Sequence, residues 1–193
     1  MKNILSSLSV FMFLILMLCI VSCDSKKTED SKEIAEDQNE EKFDDTKLED
    51  DSEFAVATAD GSMLEASLGE LAQTNAASSA VKKLGQQMIT DNKKTNEELK
   101  ALALQKNITI PEVLSDRSQK KYDDLAKKTG EDFDDAYTDF MVKDHEEDID
   151  AFKKEADKGS DSEIKLWAAD HMPVLEQHLE MAKQTEKTVD QSN

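Results

Sequence analysis

Cysteine is almost missing from this chain of 193 residues: there are two, Cys19 and Cys23. Beyond position 23 no thiol remains for a disulfide or a thiolate-bound metal. Proline is equally scarce at two, glycine reaches only five, and aromatic residues make up 5%. With turn formers so rare and Ala, Leu, Lys, Glu and Asp abundant, the composition predicts helix throughout, and no segment alternates with a strand period. Positive charge is also short, with 24 basic residues against 43 acidic ones, a net charge of −19. Such a chain is repelled by nucleic acid and by anionic lipid headgroups, which excludes both as direct partners. No Gly-x-Ser-x-Gly elbow and no glycine-rich phosphate loop occurs, so nucleophilic catalysis and nucleotide chemistry have no local motif.

One long apolar run is present, and it lies at the start. Lys2 precedes Val10–Val21, twelve apolar residues, and Ser22 leads into Cys23. A run this short between a positive end and a small residue has the form of a secretory leader rather than a membrane span. The ending Ile20-Val21-Ser22-Cys23 resembles the bacterial lipobox. The expectation is cleavage after residue 22, with Cys23 lipidated and acyl chains holding the protein to a membrane of the bacterial cell envelope. Loss of Lys2 leaves 23 basic against 43 acidic side chains, a charge of −20.

Residues 23–53 are expected to be a disordered acidic tether. From Asp24 to Glu53 there are fourteen acids and five lysines, with only Ile34, Phe43 and Leu48 as large apolar residues. That surface is too small to offset the entropy of ordering.

From Phe54 to about residue 190 a helical period takes over. Phe54, Ala57, Gly61, Leu64, Leu68 and Leu71 form one stripe, and Val81, Leu84, Gly85, Met88, Leu99 and Leu102 a second. Ser78-Ser79 supply a cap, and Asn107-Ile-Thr-Ile-Pro111 breaks the pattern. A shorter helix carries Tyr122 and Leu125. Phe133, Tyr137, Met141, Ile149, Phe152 and Ala156 mark a third long helix ending at Gly159, and Ser160-Asp-Ser-Glu163 reads as a capping box for a fourth. The architecture predicted is an all-α, ferritin-like four-helix bundle with one short connecting helix. Gly61 and Gly85 on inward stripes imply close helix approach, and Pro173 implies a kink or break in the last helix.

Polar residues interrupt the inward stripes. Asn92 follows Met88, His145 follows Met141, His171 and His178 share a stripe with Ala168, Leu175 and Ala182, and Glu65 borders Leu64 and Leu68. One reading makes them satisfied core groups that fix helix register. The other is a metal site for Fe, Mn or Zn at mid-bundle, built from Glu65, Asp91, His145, His171 and His178, with Asn92 as a further inward polar group. No Glu-x-x-His pair is present, so the ligand pattern of carboxylate-bridged di-iron bundles is not matched. Tyr137 and Trp167 on helical stripes read as core.

Four segments carry a resemblance. They are Glu65–Ala72, Val81 through Met88 to Asp91-Asn92, Phe133-Asp134 with Tyr137, Met141-Val142 and His145, and Met172-Pro173 through His178. Together they resemble the bacterial domain-of-unknown-function family 4142, described as secreted or outer-membrane proteins with a ferritin-like bundle. The resemblance implies the fold and the inward positions Glu65, His145 and His178, but no established reaction. The family has Asp-His where this chain has Asp91-Asn92, which weakens the case for metal in this member.

The leading expectation is therefore a lipid-anchored, non-enzymatic interaction or stress-related envelope module with an unknown envelope protein partner and no cofactor. The alternative is a metal-binding bundle with sequestration or oxidase activity. A third is a carrier with a ligand cavity near Pro173.

Overall fold

In the computed structural model, which describes residues 30–44 and 46–192, the chain forms six helices. They are α1 (Ser31–Phe43), α2 (Glu49–Asn75), α3 (Ser79–Lys106), α4 (Asp116–Ala126), α5 (Glu131–Lys158) and α6 (Ser162–Asp190). No named strand occurs among the described residues. The leader and Cys23 lie outside the described residues. Among those described, no helix is long and apolar enough to cross a membrane.

The four long helices, α2, α3, α5 and α6, make the bundle that the periodicity predicts. Short links force α2 against α3 and α5 against α6 as antiparallel neighbours. At one end, Gly130 N–H donates to Asn75 O at 2.8 Å and Ser78 N–H to Asp134 Oδ2 at 2.7 Å. The end of α2 and the starts of α3 and α5 therefore lie together. At the other end, Lys106 pairs with Asp161 at 2.7 Å, and both carboxylate oxygens of Asp51 accept backbone N–H groups of Ser160 and Asp161. α3 and α5 thus run in the same direction, and the stretch containing α4 is the one long crossover, the connectivity of a ferritin-like bundle.

Two clusters fill the interior. One gathers Leu68, Leu84, Met88, Phe133, Tyr137 and Met141 toward the α4 end, and the other Ala55, Ala59, Leu99, Ala103 and Ile164 toward the opposite end. Ser78 caps α3 and Asn107 ends it in the left-handed conformation, as the sequence predicts.

Four expectations need correction. From Asp30 the expected tether is folded: α1 buries Ala35, Asn39 and Phe43, spaced four apart on one face. Asn39 Nδ2 donates to Thr109 O, and Thr109 N–H donates back to Asn39 Oδ1, each at 2.7 Å. With further bonds from Ser31 to Val113 O and from Lys42 to Asn107 O, these contacts suffice where composition alone promised too little burial. The upper stripe of α2 is rotated, with Ala55, Val56 and Ala59 buried and Ala57 exposed, because α1, α3, α4 and α5 cover α2 from several sides. A side chain at Gly61 would meet nothing within 4 Å, so the close approach is between Gly69 and Gly85 instead. Finally, α6 continues through Pro173, and Asp161 rather than Ser160 caps it, accepting from Glu163 and Ile164 N–H.

Candidate metal centre

Helix packing brings one carboxylate of α2 against two of α5. Ligand oxygens of Glu65, Asp144 and Asp148 all lie within 4.8 Å of one another. Asp144 and Asp148 stand one turn apart, so both reach the same edge of α5. Glu65 is only 2% exposed, and its Oε1 is buried without a hydrogen-bond partner. Its other oxygen accepts from Asn92 Nδ2 at 2.6 Å. Asn92 on α3 is therefore an orienting donor for Glu65.

Burial pushes all three carboxyls up to about 8, with Asp148 adding to the effect on Glu65, Glu65 to that on Asp144, and Asp144 to that on Asp148. Three adjacent acids in a poorly hydrated place cannot all ionise unless a cation joins them. With its carboxyls raised to about 8, the cluster holds protons at neutral pH.

The histidines border this cluster. His145, wholly buried, donates Nδ1–H to Met141 O at 2.9 Å, and that nitrogen lies 3.6 Å from Glu65 Oε1. A carbonyl can only accept, so Nδ1 carries the proton and Nε2 is left as a bare, buried, unpartnered acceptor. His178 shows the same division: Nε2–H donates to Asp91 Oδ2 at 2.7 Å, and Nδ1 is buried without a partner. The two rings lie edge to face, 5.3 Å between centroids. Burial lowers both imidazoles, which keeps them neutral. His145 turns its N–H nitrogen, not its free one, toward Glu65, so the imidazole borders the carboxylate cluster without adding a ligand atom to it. The hydroxyl of Tyr137, likewise buried and unpartnered, lies within the field of Glu65, which together with burial holds it above the usual phenol range.

Of the five residues that sequence reasoning put forward, Glu65 belongs to the carboxylate cluster and His145 adjoins it. Asp91 and His178 pair with each other beside His145. His171 is elsewhere, its Nδ1–H on Trp167 O at 2.8 Å and its Nε2 3.3 Å from Glu98. Asp144 and Asp148 were not among them. Their signal, two acids at i and i+4 flanking an inward histidine, is present in the sequence but lost among 43 acidic residues. The larger groove, about 700 Å³, lies between α1, α2 and α5.

Residues 36–185 match the family described as a domain of unknown function, DUF4142. The chain belongs to this family. The match takes in most of α1, which makes that helix part of the DUF4142 domain and not of a tether. It also covers every residue of the carboxylate cluster and its histidine border. No curated protein and no solved structure matches the chain. What the DUF4142 bundle does must therefore be argued from its own residues.

Proposed function

We propose that this protein is a lipid-anchored module of the bacterial cell envelope whose bundle binds one divalent metal ion through Glu65, Asp144 and Asp148. The observation that supports the metal reading is Glu65 Oε1, buried without a hydrogen-bond partner inside a cluster of three carboxylates whose oxygens lie within 4.8 Å of one another. A folded core leaves such atoms without partners at a cost of about 1–3 kcal/mol each. Such an oxygen among three clustered carboxylates marks a position that suits a cation. Three hard oxygens with neutral imidazole at the border suit Mn(II), Fe(II) or Zn(II). The ion would hold the three carboxylates ionised and link α2 to α5, and sequestration is the function this geometry fits best.

The test is metal content of the mature chain after exposure to Mn(II), Fe(II) and Zn(II). About one equivalent is expected, lost in Glu65→Gln and in Asp148→Asn and kept in His171→Ala. No retained metal in the unaltered chain removes the proposal.

A second reading, an interaction module for an envelope protein, is favoured by Leu104 and Leu166. They are 82% and 61% exposed. Both lie at the end of the bundle where Lys106 bridges α3 to Asp161. Metal-free protein that cross-links to an envelope partner, and loses it in Leu104→Ser with Leu166→Ser, would move this reading ahead.

A further inference from the structure

Asp148 belongs to two features at once. It is one of the three clustered carboxylates, and it lines the groove of about 700 Å³ between α1, α2 and α5. We infer that this groove is the route by which the cation reaches the cluster, with α1 as its outer wall and Asp148 as the relay from groove to site. The inference rests on the metal-binding reading and adds how that site is loaded and which cations it admits.

Three observations carry it. Glu65 is almost wholly enclosed, whereas Asp144 and Asp148 retain partial exposure, and of these two Asp148 is the one that lines the groove. The groove wall is strongly acidic: eight carboxylates line it against three lysines. A concave surface of one sign between low-dielectric walls concentrates counter-ions and speeds their capture. Glu155, on the same wall and seven residues along α5 from Asp148, is 6% exposed with Oε1 unpartnered. The two carboxylates are thus about 10 Å apart along the helix, two footholds for an ion moving inward.

The occupant in transit is a small, partly hydrated inorganic cation. A bulky organic cation would be stopped short of the cluster, because the residues beyond Asp148 are packed core. Ala151, exposed in the groove one turn along α5 from Asp148 on the Glu155 side, offers a place to narrow it. α1 has a role in this scheme that the acidic composition of its segment hides: it carries Glu36, Asp37 and Glu40 over the groove and so extends the field outward.

The experiment is stopped-flow mixing of Mn(II) with the mature chain, measuring association and dissociation rates. Three variants are compared. In the first, Glu40→Lys with Glu53→Lys, association should slow by about tenfold at low salt, with the difference shrinking at 0.5 M salt and dissociation unchanged. In the second, Ala151→Trp, the groove is narrowed without touching a ligand. Association and dissociation should then slow by the same factor, leaving the equilibrium affinity where it was. The third, Glu131→Lys with Asp132→Lys, makes the same change in total charge about 24 Å away along α5 and should match the unaltered protein. Bound Mn(II) with unaltered rates in both groove variants overturns the route while leaving the site standing. A slowing as large in the Glu131/Asp132 variant shows that only total charge matters and also overturns it. Absence of Mn(II) binding in the unaltered protein defeats the metal site itself, a separate result.

Discussion

Glu65 and Asn92, 27 residues apart in the chain, are joined by an Nδ2–H···Oε2 hydrogen bond of 2.6 Å in the middle of the bundle. That bond fixes one oxygen of Glu65 and leaves the other, Oε1, facing His145 Nδ1 at 3.6 Å and the carboxyls of α5. Asn92 therefore positions the carboxylate without being needed as a ligand. Asn92→Ala should keep the fold and weaken Mn(II) binding by about 10–100-fold, the usual effect of losing an outer-shell partner. Titration calorimetry measures it. Unchanged affinity would show that Glu65 is held by packing alone.

The pH dependence of the metal-free protein follows from the same cluster. Glu65, Asp144 and Asp148 sit at about 8 when folded, against 4.5 or 3.8 when unfolded. Between those values the folded state holds protons that the unfolded chain has released. Their contribution to stability is complete below pH 4 and is lost as pH rises through 8. Glu155, raised to about 7 by burial and by Asp51, acts in the same direction. His145 and His178, held below 6.5, oppose this, since their contribution is lost as pH falls through their lowered values. From pH 6.5 to about 8 the carboxyls dominate. Stability should fall there by about 1.4 kcal/mol per pH unit for each proton difference, and above 8 the curve should level off. Thermal melts with chelator should show the decline, and Glu65→Gln should flatten it. Melts that stay level from pH 6.5 to 8 would mean that the cluster ionises freely.

The contact of α2 with α3 makes opposite predictions for two glycines. A Cβ at Gly69 would lie 2.5 Å from the Gly85 carbonyl oxygen, a backbone atom that cannot move aside. Gly69→Ala should destabilise by about 1–3 kcal/mol through overpacking. At Gly61 a Cβ meets nothing within 4 Å. Gly61→Ala should stabilise by about 0.5–1 kcal/mol, the helix-propensity gain alone. Denaturant titration separates the two by sign.

These results show how much the sequence could disclose. Residues whose burial depends on one neighbouring helix were legible: Val81, Leu84, Met88, Phe133, Tyr137 and Met141 fall where a 3.6-residue period puts them. The upper half of α2 was not, because four helices cover it and its stripe widens until no face is distinctive. α1 was illegible because its inward face is Ala35, Asn39 and Phe43, two of them small or polar. Within the site, Glu65, His145 and His178 interrupt apolar stripes and could be found one by one. Asp144 and Asp148 lie at the edge of a stripe, and only the register of α2 against α5 distinguishes them from their solvated neighbours.

The anchor has its own test. Cys23 follows an apolar run of twelve residues and stands first in the expected mature chain. Cys23→Ser should abolish labelling with a fatty-acid analogue and move the protein from the membrane fraction to the soluble one. Full membrane retention by the variant would sink the lipid-anchor proposal.

The folding of α1 against the bundle rests heavily on Asn39. Its side chain is 2% exposed and satisfies both the N–H and the C=O of Thr109, in the segment that links α3 to α4. Truncation to alanine leaves two backbone groups of a partly buried strip without partners and removes the buried bridge between α1 and that segment, leaving the exposed bonds of Ser31, Gln38 and Lys42. The cost should be about 1–3 kcal/mol. The loss falls on one short helix, so α1 should detach before the bundle melts. Limited proteolysis of Asn39→Ala should then cut near Thr46, between α1 and α2, while α2 to α6 survive as a resistant fragment. Because α1 walls the groove, the same variant should also load Mn(II) at an altered rate with its cluster intact. Equal protease resistance in variant and parent would show that Ala35 and Phe43 hold α1 without Asn39.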